Sequence, residues 1–436
     1  MPVPPNARAL AGSAVSGAAL AAARPAGDPP KTDEAAIPAM AIVGLSLAAM
    51  ASGVAMRVTD ALLPRLAAEF GLTLGQAAQV ITVFAVAYGL SQLLFGPLGD
   101  RYGKYRVIAA ACGASALTSL LCALAPGFGA LLAGRLAAGA TAAAVIPLAM
   151  AWIGDVVPYA QRQAVLARYL SGQIVGFATG VWLGGFAAEH LHWRTPFVAV
   201  AVLFAAVGLL LQWVRRRLPP AALRQHRPAP GSPRTPAWRT AAGEFRAVLS
   251  LRWARVVLGT VACEGAAFYG AFAFVASHLH RRFDLPLSNV GALVMLFGLG
   301  GLGFALFAGP LVARLGQQRL VRWGALAMAG ALLAVAVAPA WWWAMPACAA
   351  MGAGFYMMHN TLQTQATQMA PERRGAAVAA FASCLFLGQS AGVGLAGLLV
   401  GRTGTGWVLA AGAAGVLATG WNFNRQRRLA GPAVAG

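Results

Sequence analysis

Five ionisable residues stand inside long apolar runs of this 436-residue sequence: Arg57, Asp60, Arg135, Glu264 and His359. Hydrocarbon penalises such a residue heavily unless it is paired or hydrated, so one kept there marks an ion or substrate path or a proton relay. Arg57 and Asp60 are three residues apart, which puts them on one helix face. A rise of about 1.5 Å per residue places Asp60 and Arg135 at similar depths, within reach of each other as an ion pair. Glu264 has Cys263, Gly265, Ala266, Ala267 and Phe268 around it and no basic neighbour in its own helix. A carboxyl in such surroundings suits uptake and release of a proton. Asp60, which Arg57 or Arg135 can release, is the rival for that task. The structural alternatives are a protonated Glu264 hydrogen-bonded to a neighbouring helix, and an Arg135–Asp60 pair that only ties helices together.

The remaining polar residues do not assemble an enzyme. Ser, His and Asp are scattered without a nucleophile elbow, the six histidines lack metal spacing, and no glycine-rich loop ends in Gly-Lys-Ser/Thr. No cofactor and no metal are expected, and ATP is not the expected source of energy. An ion gradient, or the substrate's own gradient, has to supply it. Phe268, Tyr269, Asn360 and Gln363 join Arg57 and His359 as candidates for a substrate cavity. Aromatic and methionine-rich walls with acids suit amphiphilic or cationic compounds, whereas amides and arginines suit sugars or organic anions. The sequence leaves this choice open.

The elements that must position these residues are membrane helices. Of the chain, 59% is hydrophobic and 10% charged, against about 25% charged in a soluble domain. Twelve apolar runs are each long enough to span a bilayer: 39–63, 76–98, 106–126, 129–154, 165–188, 194–214, 253–276, 289–313, 320–339, 342–368, 375–400 and 405–423. The fold class expected is all-α, with twelve spans in two six-helix bundles over 39–214 and 253–424. Residues 1–38 read as a disordered cytoplasmic tail and 425–436 as a second tail. Residues 215–252 read as a basic linker, opened by Arg215-Arg216-Arg217 and broken by six prolines, with a short surface helix over 241–251. The net charge of +21 does not imply nucleic acid, because the basic residues sit between apolar runs. The five cysteines all fall inside apolar runs and read as unbonded core residues. Glycines spaced by four, Gly172, Gly176, Gly180 and Gly184, allow close helix approach in lipid.

Lys and Arg positions give the orientation. With the N-terminus inside, 26 fall in inner segments, 5 in outer segments, and Arg57 and Arg135 within spans. This bias puts both termini in the cytoplasm. Composition further suggests a bacterial inner membrane.

The chain also repeats itself. Gly96-Pro-Leu-Gly-Asp-Arg-Tyr-Gly-Lys-Tyr-Arg106 returns 213 residues later as Gly309-Pro-Leu-Val-Ala-Arg-Leu-Gly-Gln-Gln-Arg319. The same offset pairs Phe70-Gly71-Leu72 with Phe283-Asp284-Leu285, Gly139 with Gly352, and Pro158 with Pro371. A register held so long means a duplicated half.

Gly96-x-x-x-Asp100-Arg101-x-Gly103-Lys104-x-Arg106 resembles the signature loop of the major facilitator superfamily, and the second copy sits where that family keeps a degenerate one. The resemblance covers about residues 36–424. It implies a secondary transporter working by alternating access, with spans 1, 4, 7 and 10 lining the cavity. All five ionisable residues lie in those spans. It further implies that Asp100 and Arg101 act in a latch that locks cytoplasmic helix ends in one state. Arg135-x-x-x-Gly139 resembles the family's span-4 pattern, implicated there in proton coupling, with Ala138 where Gln is frequent. Gly176-x-x-x-Gly180-Val181-x-x-Gly184-Gly185 resembles the antiporter motif of drug-exporting members, with Val181 in place of the usual proline. The expectation is a monomeric, proton-coupled exporter of small organic molecules. The alternatives are a symporter or facilitator importing a sugar or organic anion, and a multi-pass receptor that transports nothing.

Overall fold

The computed structural model describes residues 39–223 and 237–430. The tail expected at 1–38, linker residues 224–236 and the final residues 431–436 lie outside the described residues. The described chain is all helix. The first half contains α1 (Ala39–Arg57), α2 (Leu63–Glu69), α3 (Leu74–Ala77), α4 (Gln79–Tyr102), α5 (Lys104–Ala123), α6 (Phe128–Ala142), α7 (Val145–Val156), α8 (Tyr159–His190) and α9 (Thr195–Arg215). A linker helix, α10 (Ala237–Ser250), leads to α11 (Arg252–Glu264), a π-helical turn (Gly265–Tyr269), α12 (Gly270–Phe272) and α13 (Val275–Phe283). Then come α14 (Leu287–Val337), α15 (Ala344–Gln368), α16 (Arg374–Thr403) and α17 (Thr405–Ala430).

Among the described residues, nine helical stretches are long and apolar enough to cross a membrane. One of them, α14, has 51 residues and is split by Gly316 at φ 64°, ψ 168°. Two more helices, α15 and α17, have 25 and 26 residues but carry more amides, hydroxyls or arginines. The twelve expected spans all fall on helical stretches, some of them broken, and the helices are consistent with twelve crossings. The final helix runs to Ala430, beyond the expected limit of 424.

Backbone geometry repeats with the sequence. Five described residues have positive φ: Gly71, Gly103, Asp284, Gly316 and Gly404. The first four form two pairs separated by the 213-residue offset, one before span 2 and its copy, one in the signature loop and its copy. Gly103 turns the chain from α4 into α5 at φ 91°, a conformation that disfavours any side chain with a Cβ. Packing repeats as well. A methyl group on Gly139 would overlap the Phe84 carbonyl, and one on Gly352 would overlap the Phe297 carbonyl, both partners displaced by the same offset.

The glycines of α8 form a ladder against α1. Gly172, Gly176, Gly180 and Gly184 lie against the backbones of Ser46, Met50, Val54 and Val58 in turn. Both sides advance by four, about one helical turn, so the helices run along each other at backbone contact. A matching crossing sets Gly388 and Gly392 of α16 on Ala262 and Ala266. At the end expected to face outward, Gly75 meets Gly397, and Gly185 meets Leu287 and Gly291. Toward the other end, Gly96, Gly303 and Gly309 have nothing within 4 Å of where a Cβ would stand. The outer crossings of α3 with α16 and of α8 with α14 are therefore at backbone contact.

Three expectations need correction. Span 1 is not one helix over 39–63: α1 stops at Arg57, and turns with i+3 backbone bonds lead through Asp60 and Leu62 to α2. Pro64, which fits only the first turn of a helix, fixes the restart there. The linker helix is Ala237–Ser250 rather than 241–251. The cysteines are not all core: Cys112, Cys122 and Cys348 are buried, Cys384 is intermediate and Cys263 is exposed.

Candidate functional site

Arg57 and Asp60 come together where span 1 meets span 7. Arg57 Nη1 donates to Asp60 Oδ2 at 3.4 Å, and both side chains are 2% exposed. The Arg57 guanidinium lies over the Tyr269 ring at 4.0 Å from its centroid, with Phe177 at 5.2 Å and Phe272 at 5.7 Å. Cations over aromatic faces gain most when desolvated, as here. Arg57 Nε and Nη2 and Asp60 Oδ1 are buried without a hydrogen-bond partner.

Arg135 does not take Asp60. Its Nε donates to the Val80 carbonyl (3.2 Å) and its Nη1 to the Ala55 carbonyl (3.0 Å), with the Phe84 ring 4.1 Å away. Arg57, three residues from Asp60, takes it instead, because the break after α1 turns Asp60 back to Arg57. Arg135 pins α6 to α1 and α4 while remaining a buried cation, with Nη2 unpartnered.

Glu264 is fully buried and its partner lies on another helix. His359 Nδ1 of α15 stands 2.9 Å from Glu264 Oε2. Phe355 stacks on the imidazole at 4.9 Å and 13°, and Phe381 lies at 5.3 Å. Glu264 Oε1 is buried and unpartnered. The π-helical turn begins at the next residue. Such turns are found mostly at functional positions. Here Gly265 opens the turn and Gly270 follows it, pressed against the Leu385 and Gly392 backbones.

Phe268 sits in a ring cluster with Phe272, Phe297 and Phe355, at 5.3–5.9 Å from each centroid, while its neighbour Tyr269 faces Arg57. Asn360 and Gln363 are half-buried. The nearby Gln365 serves packing: it accepts from Trp253 at 3.1 Å and donates to Gln317 at 2.7 Å. Among these groups the structure brings together Arg57, Asp60 and Tyr269, and separately Glu264 and His359. It keeps Arg135 apart.

In the signature loop the ion pairs are made by Lys104 rather than Arg101. Lys104 Nζ bridges Asp155 Oδ2 (2.5 Å) and Asp100 Oδ1 (3.5 Å). Arg101 instead lies over Tyr102, 5.2 Å from its ring centroid. Lys104, Arg106 and Arg215 border a cleft of about 710 Å³ at this end. Asp155→Asn is expected to lower transport rate more than Asp100→Asn, by up to about fivefold, since exposed ion pairs contribute about 0.2–1 kcal/mol. Equal rates in the two variants would contradict this ordering.

Sequence reasoning missed Asp155, Phe177, Phe381 and the π-helical turn. Asp155 had a signal, as an acid ending span 4 level with the signature loop. The π-helical turn had only the glycines at its start and just after its end.

A family model described as "Major Facilitator Superfamily" matches residues 45–393. The chain is a member of the Major Facilitator Superfamily. The MFS-type transporter YwfA of Bacillus subtilis is 27% identical over 282 residues, 65% of this chain and 66% of that protein. The multidrug export protein EmrB of Escherichia coli is 30% identical over 176 residues, 40% of this chain and 34% of that protein. The chain thus matches only about a third of EmrB's length. Among solved structures, a POT family peptide transporter superposes with a TM-score of 0.70 at 18% identity, covering 90% of this chain and 97% of that one. That likeness concerns the fold. Membership makes this a multi-pass membrane transporter of small molecules rather than an enzyme.

Proposed function

We propose that this superfamily member is a proton-coupled exporter of small organic molecules, with two six-helix halves over 39–214 and 253–424 rocking about a midplane site. The observation that carries the reading is the pair of buried carboxylates, each held by a different partner at the span 1–span 7 crossing and its neighbour helix. Asp60 is held by Arg57 from its own chain turn, and Glu264 by His359 from α15. Each acid keeps one oxygen without a partner. Groups of that kind can exchange a proton as the site changes sides, with Glu264 as principal carrier, Asp60 as second, and Arg135 as a neighbouring fixed charge. Export is supported by the glycine ladder of α8, which resembles an antiporter motif, and by the stretch shared with EmrB. The charge count supports both termini in the cytoplasm and the composition an inner membrane, and the proposed working unit is a monomer.

The test is internal pH in proteoliposomes while cationic, neutral and anionic compounds are added in turn. Wild type should show substrate-dependent proton movement, and Asp60→Asn should reduce it several-fold through loss of the Arg57 pair. Substrate crossing with no proton movement in any compound class would sink the coupling and leave a facilitator.

A further inference from the structure

Glu189, one residue before the end of α8, reaches across to α14. Its Oε2 accepts from the Ser288 backbone N–H at 2.8 Å and from the Ser288 hydroxyl at 2.6 Å. Ser288 is in the first turn of α14, where backbone N–H groups lack partners inside the helix. The residue preceding that helix is Pro286, which makes no side-chain cap. Glu189 supplies the missing cap from a different helix and places its negative charge at the positive helix end. The contact lies just beyond the last backbone crossing of the two helices, Gly185 against Leu287 and Gly291. Among the described residues at this outer end, the remaining contact is glycine against backbone. The other outer seam, Gly75 against Gly397, has no side-chain hydrogen bond among the described residues. Among the described residues, Glu189–Ser288 is the side-chain hydrogen-bonded contact that joins the two halves at the outer face.

We propose that Glu189 and Ser288 form a latch for the outer gate, made only while α8 and α14 are together and setting how readily the outer face opens. This rests on the alternating-access reading above. Charge-assisted bonds to a carboxylate are stronger than neutral ones. This pair is exposed, however, and water replaces it on opening, so the latch biases the equilibrium without locking it. Glu189 is a positioning residue: it holds a helix end and does not meet the cargo.

The experiment measures distances between spin labels at Arg65 and Arg402, at the outer ends of α2 and α16, in a cysteine-free background without substrate. Glu189→Ala should raise the ratio of open to closed populations about three- to tenfold. Ser288→Ala should raise it less, because the backbone donor remains. Glu189→Asp, which keeps the charge, should restore part of the closed population. Unchanged populations in Glu189→Ala overturn the proposal. So does a lowered melting temperature with unchanged populations, which marks a cap that only stabilises α14. If Glu189→Ala does not fold, Ser288→Ala decides by the same readout. Because no substrate or proton gradient is present, failure here leaves the coupling reading standing, and failure of the coupling leaves the latch standing.

Discussion

Glu264→Gln is expected to abolish substrate-driven proton movement in proteoliposomes, while the protein still folds and still exchanges substrate down its gradient. Glutamine has nearly the same shape and can keep a hydrogen bond to His359, so the packing of Phe355 and Phe381 around the imidazole is retained. What it loses is the ability to ionise. With a neutral amide in place of the carboxylate, His359 loses the charged partner it has in this pair. The effect should exceed that of Asp60→Asn, where Arg57 keeps its contacts with three aromatic rings. Proton movement at wild-type rate in Glu264→Gln, with loss in Asp60→Asn, would transfer the carrier's role to Asp60.

Gly176→Val should be strongly damaging to the α1–α8 contact. A Cβ at Gly176 would overlap the Met50 carbonyl, with the remainder of that peptide close behind. Backbone cannot step aside as a flexible side chain can, so α1 and α8 must separate over several turns. Overpacking of this kind costs about 1–3 kcal/mol, and more where backbone is the obstacle. The expected readout is a lower melting temperature in detergent and a loss of monodisperse protein. Gly113→Ala is the control: that position has nothing within 4 Å, and melting should stay as in wild type. Equal melting temperatures for all three proteins would mean that the ladder does not govern the α1–α8 contact.

The fold was readable because its signals are long or duplicated. Apolar runs of helix-crossing length need no tertiary information. The 213-residue offset marks loops whose geometry proves to repeat, with positive φ at Gly71 and Asp284, and at Gly103 and Gly316. The site was legible only as a set of residue types. Asp60 and Glu264 stood out because charge is rare in apolar helices, but their partners depend on choices that spacing cannot make. Arg135 was within plausible reach of Asp60, yet backbone carbonyls on two helices hold it, and the nearer Arg57 takes the acid. His359 looked like a cavity residue because nothing in the sequence tells which helix face of α15 meets α11. In the signature loop, Lys104 rather than Arg101 finds the acids, since Asp155 arrives from a helix fifty residues away in sequence.

The turn over Gly265–Tyr269 changes how span 7 must be read. A π-helical turn holds about one residue more than an α-helical turn, and each residue in a helix advances the side-chain direction by about 100°. A single helical wheel drawn through 252–283 therefore points every side chain after Tyr269 in the wrong direction by about that angle. The helical segments before and after the turn do not share a phase. The acid lies at the end of the first, and the ring of Phe272 that meets Arg57 belongs to the second.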